Sequence, residues 1–256
     1  MQHDSNILLP LTAFRPISLA GMEEVALMSR VDTKYVGTIS ALHGLLSDLV
    51  GKHHVLELEG RRQFSYQNVY YDTADRTMYH DHHRGKARRQ KIRKRLYADS
   101  GLSFLEVKSK TNTGKTLKRR MPSGFEDATF TAEERAFIKQ ESDFGNRDLV
   151  QTLRVSFDRI TLVDLERAER VTIDTALRFS LEDQRSVASE LLVVEVKSVN
   201  ARHSDMHRTL LSHNIRRRQF SKYCTGMALL ASGVKQNLFL PRLRHIRTLS
   251  PVETIT

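Results

Sequence analysis

Positively charged side chains occupy every second position in the segment 89–97. The alternating residues are Arg89, Lys91, Arg93, Arg95 and Tyr97. In a β-strand they would all point to one face, whereas Ile92 and Leu96 would point to the other. Four like charges on one face repel one another. The segment therefore predicts a strand with one strongly cationic face.

The same two-residue spacing of charge returns in later segments of the chain. The cations that follow it are Lys108, Lys110, Lys118, Arg120, Arg159, Arg170 and Lys197. One such segment alone would be typical of a solvated strand face. Several of them together predict a surface to which many strands contribute cations, and self-repulsion would destabilise that surface without a polyanion. If the strands close into a barrel, the surface is its interior.

Two glutamates, Glu106 and Glu195, fall on these cationic faces. Mg²⁺ and Mn²⁺ bind carboxylate oxygens together with phosphate oxygens, and a triphosphate commonly carries such an ion. Glu195 is therefore a candidate ligand of a divalent metal, and Glu106 is a further one. The alternative is that each glutamate pairs with a neighbouring lysine, and the sequence leaves both interpretations open.

The composition points to an anionic partner. The 256 residues include 41 Lys and Arg against 30 Asp and Glu, for a formal net charge of +11, which leaves nucleic acid, anionic lipid and phosphorylated small molecules open. The single cysteine, Cys224, excludes a disulfide framework and a cysteine-based zinc site within the chain, and it favours the cytoplasm. No run of about 18 apolar residues and no signal peptide occurs, so we expect any membrane attachment to need a membrane-protein partner.

Short β-like runs separated by turn signals predict about eight strands. These runs lie at 34–37, 64–71, 91–97, 102–110, 115–121, 153–163, 167–175 and 191–199. Helical patterns are fewer, at 40–50, from 131, near 203–213 and at 219–232, and Thr131 with Glu134 forms a capping box. We therefore expect an α+β fold in which an eight-stranded antiparallel closed β-barrel is flanked by helices.

The domain organisation is predicted to be simple. One domain covers 1–256, with a core from about 14 to 233 and tails at both ends. The cluster His80, Asp81, His82 and His83 resembles a set of metal ligands, but no second set accompanies it, so we interpret it as a solvated loop before the strand at 89–97. Cys224 lies among apolar residues and is interpreted as a packing residue.

In order along the chain, nine short motifs resemble those of the VTC domain of the triphosphate tunnel metalloenzyme, or CYTH-like, superfamily. They are R-V-D-T-K-Y at 30–35, Y-Y-D-T at 70–73, K-I-R-K-R-L-Y at 91–97, L-E-V-K-S-K at 105–110, K-R-R at 118–120, F-D-R at 157–159, R-V-T-I-D at 170–174, V-E-V-K at 194–197 and F-S-K-Y-C-T-G at 220–226. The resemblance implies an eight-stranded tunnel in which polyphosphate is made from ATP in a metal-dependent reaction.

The resemblance also implies roles for particular residues. The residues expected to act in catalysis are Arg93, Arg95, Lys108, Arg159 and Glu195. Those expected to bind phosphate or polyphosphate are Lys34, Lys91, Lys110, Lys118, Arg120, Arg170, Lys197, Ser221 and Lys222. Glu195, with Glu106 as a further candidate, would hold Mn²⁺ or Mg²⁺. The segment R-V-D-T-K stands where CYTH hydrolases carry E-x-E-x-K, which favours the VTC branch and removes two acidic metal ligands.

The sequence therefore predicts a polyphosphate polymerase that transfers phosphoryl groups from a nucleoside triphosphate, expected to be ATP, to a growing chain. Two alternatives share the tunnel: a non-catalytic module that binds polyphosphate or a phosphorylated ligand, and a triphosphatase. Nucleic-acid binding fits the charge, but the sequence contains no known RNA- or DNA-binding motif. We therefore expect no nucleic-acid partner.

Overall fold

The computed structural model describes residues 10–24, 31–126, 129–198, 205–251 and 253–255. It has an α+β fold built on one 13-stranded sheet. The strands are β1 (Arg15–Ile17), β2 (Val31–Thr38), β3 (His54–Leu56), β4 (Gln63–Thr73), β5 (Arg89–Tyr97), β6 (Leu102–Lys110), β7 (Thr116–Pro122), β8 (Leu149–Asp164), β9 (Glu169–Leu181), β10 (Gln184–Ala188), β11 (Leu191–Ser198), β12 (Arg216–Arg217) and β13 (Glu253–Ile255).

Seven α-helices with both ends inside the described ranges accompany the sheet. They are α1 (Leu19–Glu24), α2 (Leu42–Leu49), α3 (Thr77–His83), α4 (Ala132–Glu141), α5 (Asp205–Ser212), α6 (Lys222–Leu230) and α7 (Leu240–Leu249). The predicted capping box opens α4, because the Thr131 hydroxyl accepts from the Glu134 amide and the Glu134 carboxylate accepts from the Thr131 amide. No described helix is long and apolar enough to span a lipid bilayer.

The main path of the sheet is antiparallel and open. Its strand order is β12-β2-β11-β9-β8-β4-β5-β6-β7, so β12 and β7 form the two edges. All eight predicted strands are present, but the expected closed eight-stranded barrel is not, since no described strand joins β7 to the opposite edge. A two-residue period determines which face a side chain takes, but it does not determine whether two edges of a sheet meet.

The sheet is strongly curved. Glu195 on β11 and Lys108 on β6 are five strand spacings apart along the path, which corresponds to roughly 24 Å in a flat sheet. Glu195 nevertheless lies near enough to Lys108 that the negative charge of the glutamate stabilises the protonated form of the lysine. One face of the sheet is therefore concave. We call this face the trough, and its charged residues include Lys34, Lys91, Arg93, Arg95, Glu106, Lys108, Lys118, Arg159, Asp174 and Glu195.

The convex face carries most of the helices. Val194 and Val196 are buried there against α2 and α5, and Ile92 is buried in a second cluster that includes Ile138 of α4. Helix α6 instead packs in the trough. A Cβ atom on Gly226 would lie 2.6 Å from both Leu153 and Phe179, so glycine is required for this close approach. The trough thus has an apolar part filled by α6 and a charged part beside the start of that helix.

The C-terminal segment is more ordered than the predicted tail. Helix α7 buries Leu243 and Ile246 in the same apolar cluster as Met227 of α6, and β13 pairs with β10. At the other end, β1 pairs in parallel with β3 and Phe14 is buried. Two apolar residues at helical spacing in a basic segment form too short a pattern for the sequence to distinguish a helix from a tail. Residues 1–9 lie outside the described residues.

Candidate anion-binding site

A buried aspartate fixes the helices that border the trough. Asp72, in the segment Y-Y-D-T, accepts hydrogen bonds from the amides of Met78 (2.9 Å) and Tyr79 (2.9 Å) at the start of α3. It also accepts one from the hydroxyl of Tyr223 on α6, at 2.6 Å. Asp72 therefore ties both helices to β4, a structural role that sequence reasoning did not assign.

Arg93, Glu106 and Lys118 form one charged group of the trough. The Nε and Nη2 atoms of Arg93 donate to Oε2 of Glu106 at 2.8 and 2.7 Å, and Nζ of Lys118 lies 2.5 Å from Oε1. Arg93 also donates to the Tyr70 hydroxyl at 3.2 Å. Burial alone would raise the pKa of Glu106, but Arg93, Arg95 and Lys118 hold it far below its usual range. The glutamate therefore stays ionised and orients the arginine.

A second group is built around Asp174. Arg159 donates to its two carboxylate oxygens at 2.6 and 2.9 Å, and Lys222 at the start of α6 donates to the same carboxylate. Burial acts to raise the pKa of Asp174, but Arg159 and Lys222 lower it to about 2. The arginine is thus held by the carboxylate in a bidentate, fork–fork geometry.

Glu195 is the third trough carboxylate. Lys34 on the adjacent strand donates to Oε2, and Nζ of Lys197 lies 3.2 Å from Oε1. Burial would raise the pKa of Glu195, yet Lys34 and Lys197 keep it well below its usual range. Both of its oxygens are therefore engaged by ammonium groups, which corresponds to the pairing that the sequence left open.

Three further cations face the trough without a hydrogen-bonded carboxylate partner among the described residues. Arg95 donates to Asn68 at 2.8 Å and Lys91 donates to the Ser221 hydroxyl at 2.9 Å. Lys108 interacts with Glu195 through its charge only, without a hydrogen bond to it. Loss of solvation in the trough lowers the pKa of Lys108 to about 8 and also lowers the pKa of Lys91. The positive charge in the trough therefore exceeds the negative charge, and these cations are available to an anion.

Aromatic rings form the floor under several of these cations. Tyr66 and Phe157 stack with ring centroids 5.3 Å apart. The guanidinium groups of Arg95 and Arg159 each lie 5.2 Å from the Tyr66 centroid, and Nζ of Lys222 lies 4.0 Å from that of Phe157. Because the ring faces attract cations without neutralising them, the floor helps to position these groups and leaves their charge unchanged.

The family model of the VTC domain matches residues 29–231. The chain belongs to this family. No curated protein matches it significantly.

Several solved structures are similar to this chain at low sequence identity. A putative adenylyl cyclase from Hippeastrum, described as having a dominant triphosphatase activity, gives a TM-score of 0.49 at 15% identity over 78% of this chain and 96% of its own. A putative adenylate cyclase from Vibrio parahaemolyticus gives 0.44 at 12%, over 75% and 94%. The PH1819 protein from Pyrococcus horikoshii gives 0.42 at 10%, over 75% and 96%. At these values the likeness carries no conclusion about activity.

The remaining predicted residues of this VTC domain lie at the margins of the trough. Arg120 is on the edge strand β7, with its guanidinium 4.7 Å from the Phe104 centroid, and Lys110 ends β6 opposite Thr116. Arg170 lies at the start of β9, opposite Lys197 on β11. Ser221 is the N-cap of α6 and accepts from the Cys224 amide at 3.2 Å. Cys224 is buried in the apolar cluster, as predicted.

The histidine cluster is a buried helix, so its interpretation as a solvated loop was wrong. Helix α3 contains His80, Asp81, His82 and His83. Its residues Met78 and Tyr79 are buried, so the helix packs into the fold. Burial, followed by the charges of Lys91 and Arg89, lowers the pKa of His82 to about 2, so this side chain is neutral beside the trough. The described ranges contain no group of three His, Cys, Asp or Glu side chains that could hold a metal ion. The signal that was missed is the apolar Met78–Tyr79 pair just before the histidines.

Proposed function

We propose that this VTC domain binds a triphosphate or polyphosphate chain along the trough and transfers phosphoryl groups to it from a nucleoside triphosphate, with ATP as the expected donor. The observation that carries the proposal is the excess of trough cations. Lys91, Arg95 and Lys108 have no hydrogen-bonded carboxylate partner among the described residues, whereas their neighbours are paired. A linear polyanion carries several negative charges along its length, which matches a row of cations better than a single small anion does.

The paired arginines would position the reacting phosphates. Phosphoryl transfer depends mainly on positioning and on neutralising charge, with little covalent work for the protein. Glu106 and Asp174 hold Arg93 and Arg159 in fixed orientations, so these two guanidinium groups are organised before the substrate binds. Lys108 and Arg95 would contact the remaining phosphate oxygens. The terminal phosphate of the growing chain would attack the γ-phosphorus of the nucleoside triphosphate, and the nucleoside diphosphate would leave as the β–γ bond breaks, so no nucleophilic side chain is required.

A divalent metal fits this arrangement as a companion of the substrate. Mg²⁺ commonly binds one or two carboxylates together with substrate phosphates. Glu195 fits such a role, since a bound phosphate chain would draw Lys34 and Lys197 away from its two oxygens. Glu106 fits less well, because it is 1% exposed and Arg93 and Lys118 hold both of its oxygens. We therefore assign the metal to Glu195, where Mn²⁺ or Mg²⁺ would neutralise charge on the transferred group.

A second candidate is a non-catalytic module that binds polyphosphate. It is favoured by the fact that cations engage Glu106, Asp174 and Glu195, so none of these carboxylates is free in the structure. A catalyst should lose turnover in EDTA, whereas a binding module should keep its affinity. A triphosphatase would release orthophosphate from the nucleotide without making chains.

Incubation of the purified protein with ATP and Mn²⁺ tests the proposal. We expect long polyphosphate chains on a gel, and we expect EDTA to abolish them. Orthophosphate released without chains would show a triphosphatase. If tripolyphosphate binds but neither Mn²⁺ nor Mg²⁺ supports turnover of any nucleoside triphosphate, the binding module replaces the polymerase.

A further inference from the structure

Arginines continue the cationic face beyond the trough at one edge of the sheet. In the β12–β2 pair, Arg216 stands opposite Val36 and Arg217 opposite Tyr35, and the Arg218 amide donates to the Lys34 carbonyl at 2.9 Å. Opposed residues of an antiparallel pair point to the same side of the sheet. Val36 belongs to the apolar cluster of the concave face and Lys34 faces the trough. Arg216 and Arg218 therefore lie on the concave side, and Arg217 lies on the other.

Helix α7 adds a third arginine to this row. Arg242 donates to the Gln219 side chain at 2.6 Å, which places the start of α7 beside the segment that follows β12. His245, one turn further along, has a pKa that is lowered by burial and then by the charges of Arg218 and Arg216. The helix thus lies against the same segment over at least one turn. We call Arg216, Arg218 and Arg242 the edge path, and all three side chains are exposed.

No described carboxylate neutralises the edge path. The side chains of Arg216, Arg218 and Arg242 bond only to an asparagine, a backbone carbonyl and a glutamine. Several other exposed arginines do have acidic partners, such as Arg61 with Asp99 (2.8 Å). The charge of the edge path is therefore available to an external anion, and it begins where Arg218 adjoins Lys34.

We propose that the edge path is a second binding segment for polyphosphate, over which a chain longer than the trough continues past Lys34. The proposal rests on the proposed function of the trough. A polyphosphate chain suits the path because it carries a charge on every unit and requires no other kind of contact. A single-stranded nucleic acid would gain from aromatic side chains on which bases stack, but the nearby Phe220 and Phe239 are buried.

Two double variants test the edge path. Arg216→Gln/Arg218→Gln removes two of its charges. Arg244→Gln/Arg247→Gln removes the same charge from exposed residues that the helical period places on the other flank of α7. We expect the first variant to bind long-chain polyphosphate about tenfold more weakly. The slope of log affinity against log salt concentration should become shallower by roughly two, about one for each arginine removed. Tripolyphosphate, which the trough holds by itself, should bind both variants as it binds the wild type.

The outcomes separate the edge path from the trough. The edge-path proposal is overturned if both variants lose affinity for long-chain polyphosphate equally. It is also overturned if the first variant loses none. If single-stranded RNA binds the wild type as tightly as long-chain polyphosphate and loses affinity with the first variant, the path is a nucleic-acid site and the proposal is wrong. A wild type that binds no tripolyphosphate contradicts the function of the trough, whereas the comparison of the two variants on long chains still decides the path.

Discussion

Glu195→Gln should reduce metal-dependent turnover by roughly a hundredfold or more, while metal-free binding of tripolyphosphate stays the same or tightens. The substitution keeps the shape of the side chain but removes the charge that attracts the metal. It also releases Lys34 and Lys197, which the carboxylate engages, so two more ammonium groups become available to phosphate. The measurement is activity with Mn²⁺ and calorimetric binding in EDTA on the same protein.

The matched control for this prediction is Glu190→Gln. Glu190 is a partly exposed glutamate immediately before β11, so the same chemical change is made outside the trough. It should leave both activity and binding at the wild-type level. If Glu195→Gln retains metal-dependent turnover, the metal role of Glu195 is wrong, and one of the other carboxylates has to be considered in its place.

Arg159→Ala should weaken the binding of tripolyphosphate by tenfold or more and lower turnover with it, because a charged guanidinium contact to phosphate is lost. It should also destabilise the fold by about 3 kcal/mol, because Asp174 stays buried with Lys222 as its remaining partner. Calorimetric titration gives the affinity, and the melting temperature reports the stability.

Arg154→Ala is the matched control on the same strand. Val155 is buried in the apolar cluster of the concave face, so its neighbour Arg154 points to the convex face and bonds to Gln151 at 3.4 Å. Its replacement should change tripolyphosphate affinity less than twofold. Equal weakening by the two substitutions would mean that the concave face of β8 is not the binding surface.

The faces of the strands could be predicted from the sequence because the two-residue period determines them. Ile92 is buried on the convex side of β5 while Arg93 faces the trough, and Val194 and Val196 flank Glu195 in the same way. Lys94 is the instructive exception: it is buried on the convex side, 3.1 Å from Glu134 of α4. Its partner comes from a distant segment, so no local pattern could have indicated the pair.

Features that depend on tertiary contacts could not be predicted. The pairing of Glu195 with Lys34 requires the register of β2 against β11, which is set by the whole sheet. The burial of α3 depends on contacts such as the edge-to-face packing of His83 against Phe239, with ring centroids 5.1 Å apart, and these two residues are separated by more than half of the chain. The open edge of β7 likewise depends on how far the sheet curves, and residue spacing carries no information about that.

The central claim, that the trough binds a phosphate chain, is tested most directly by the melting temperature of the wild-type protein with and without tripolyphosphate in EDTA. At a hundred times its Kd the ligand should stabilise the fold by about 2.7 kcal/mol, which raises the melting temperature of a chain of this size by about 5–10 °C. The shift should be larger at low salt, where screening of the trough cations is weaker. No shift at millimolar tripolyphosphate and low salt would contradict the account.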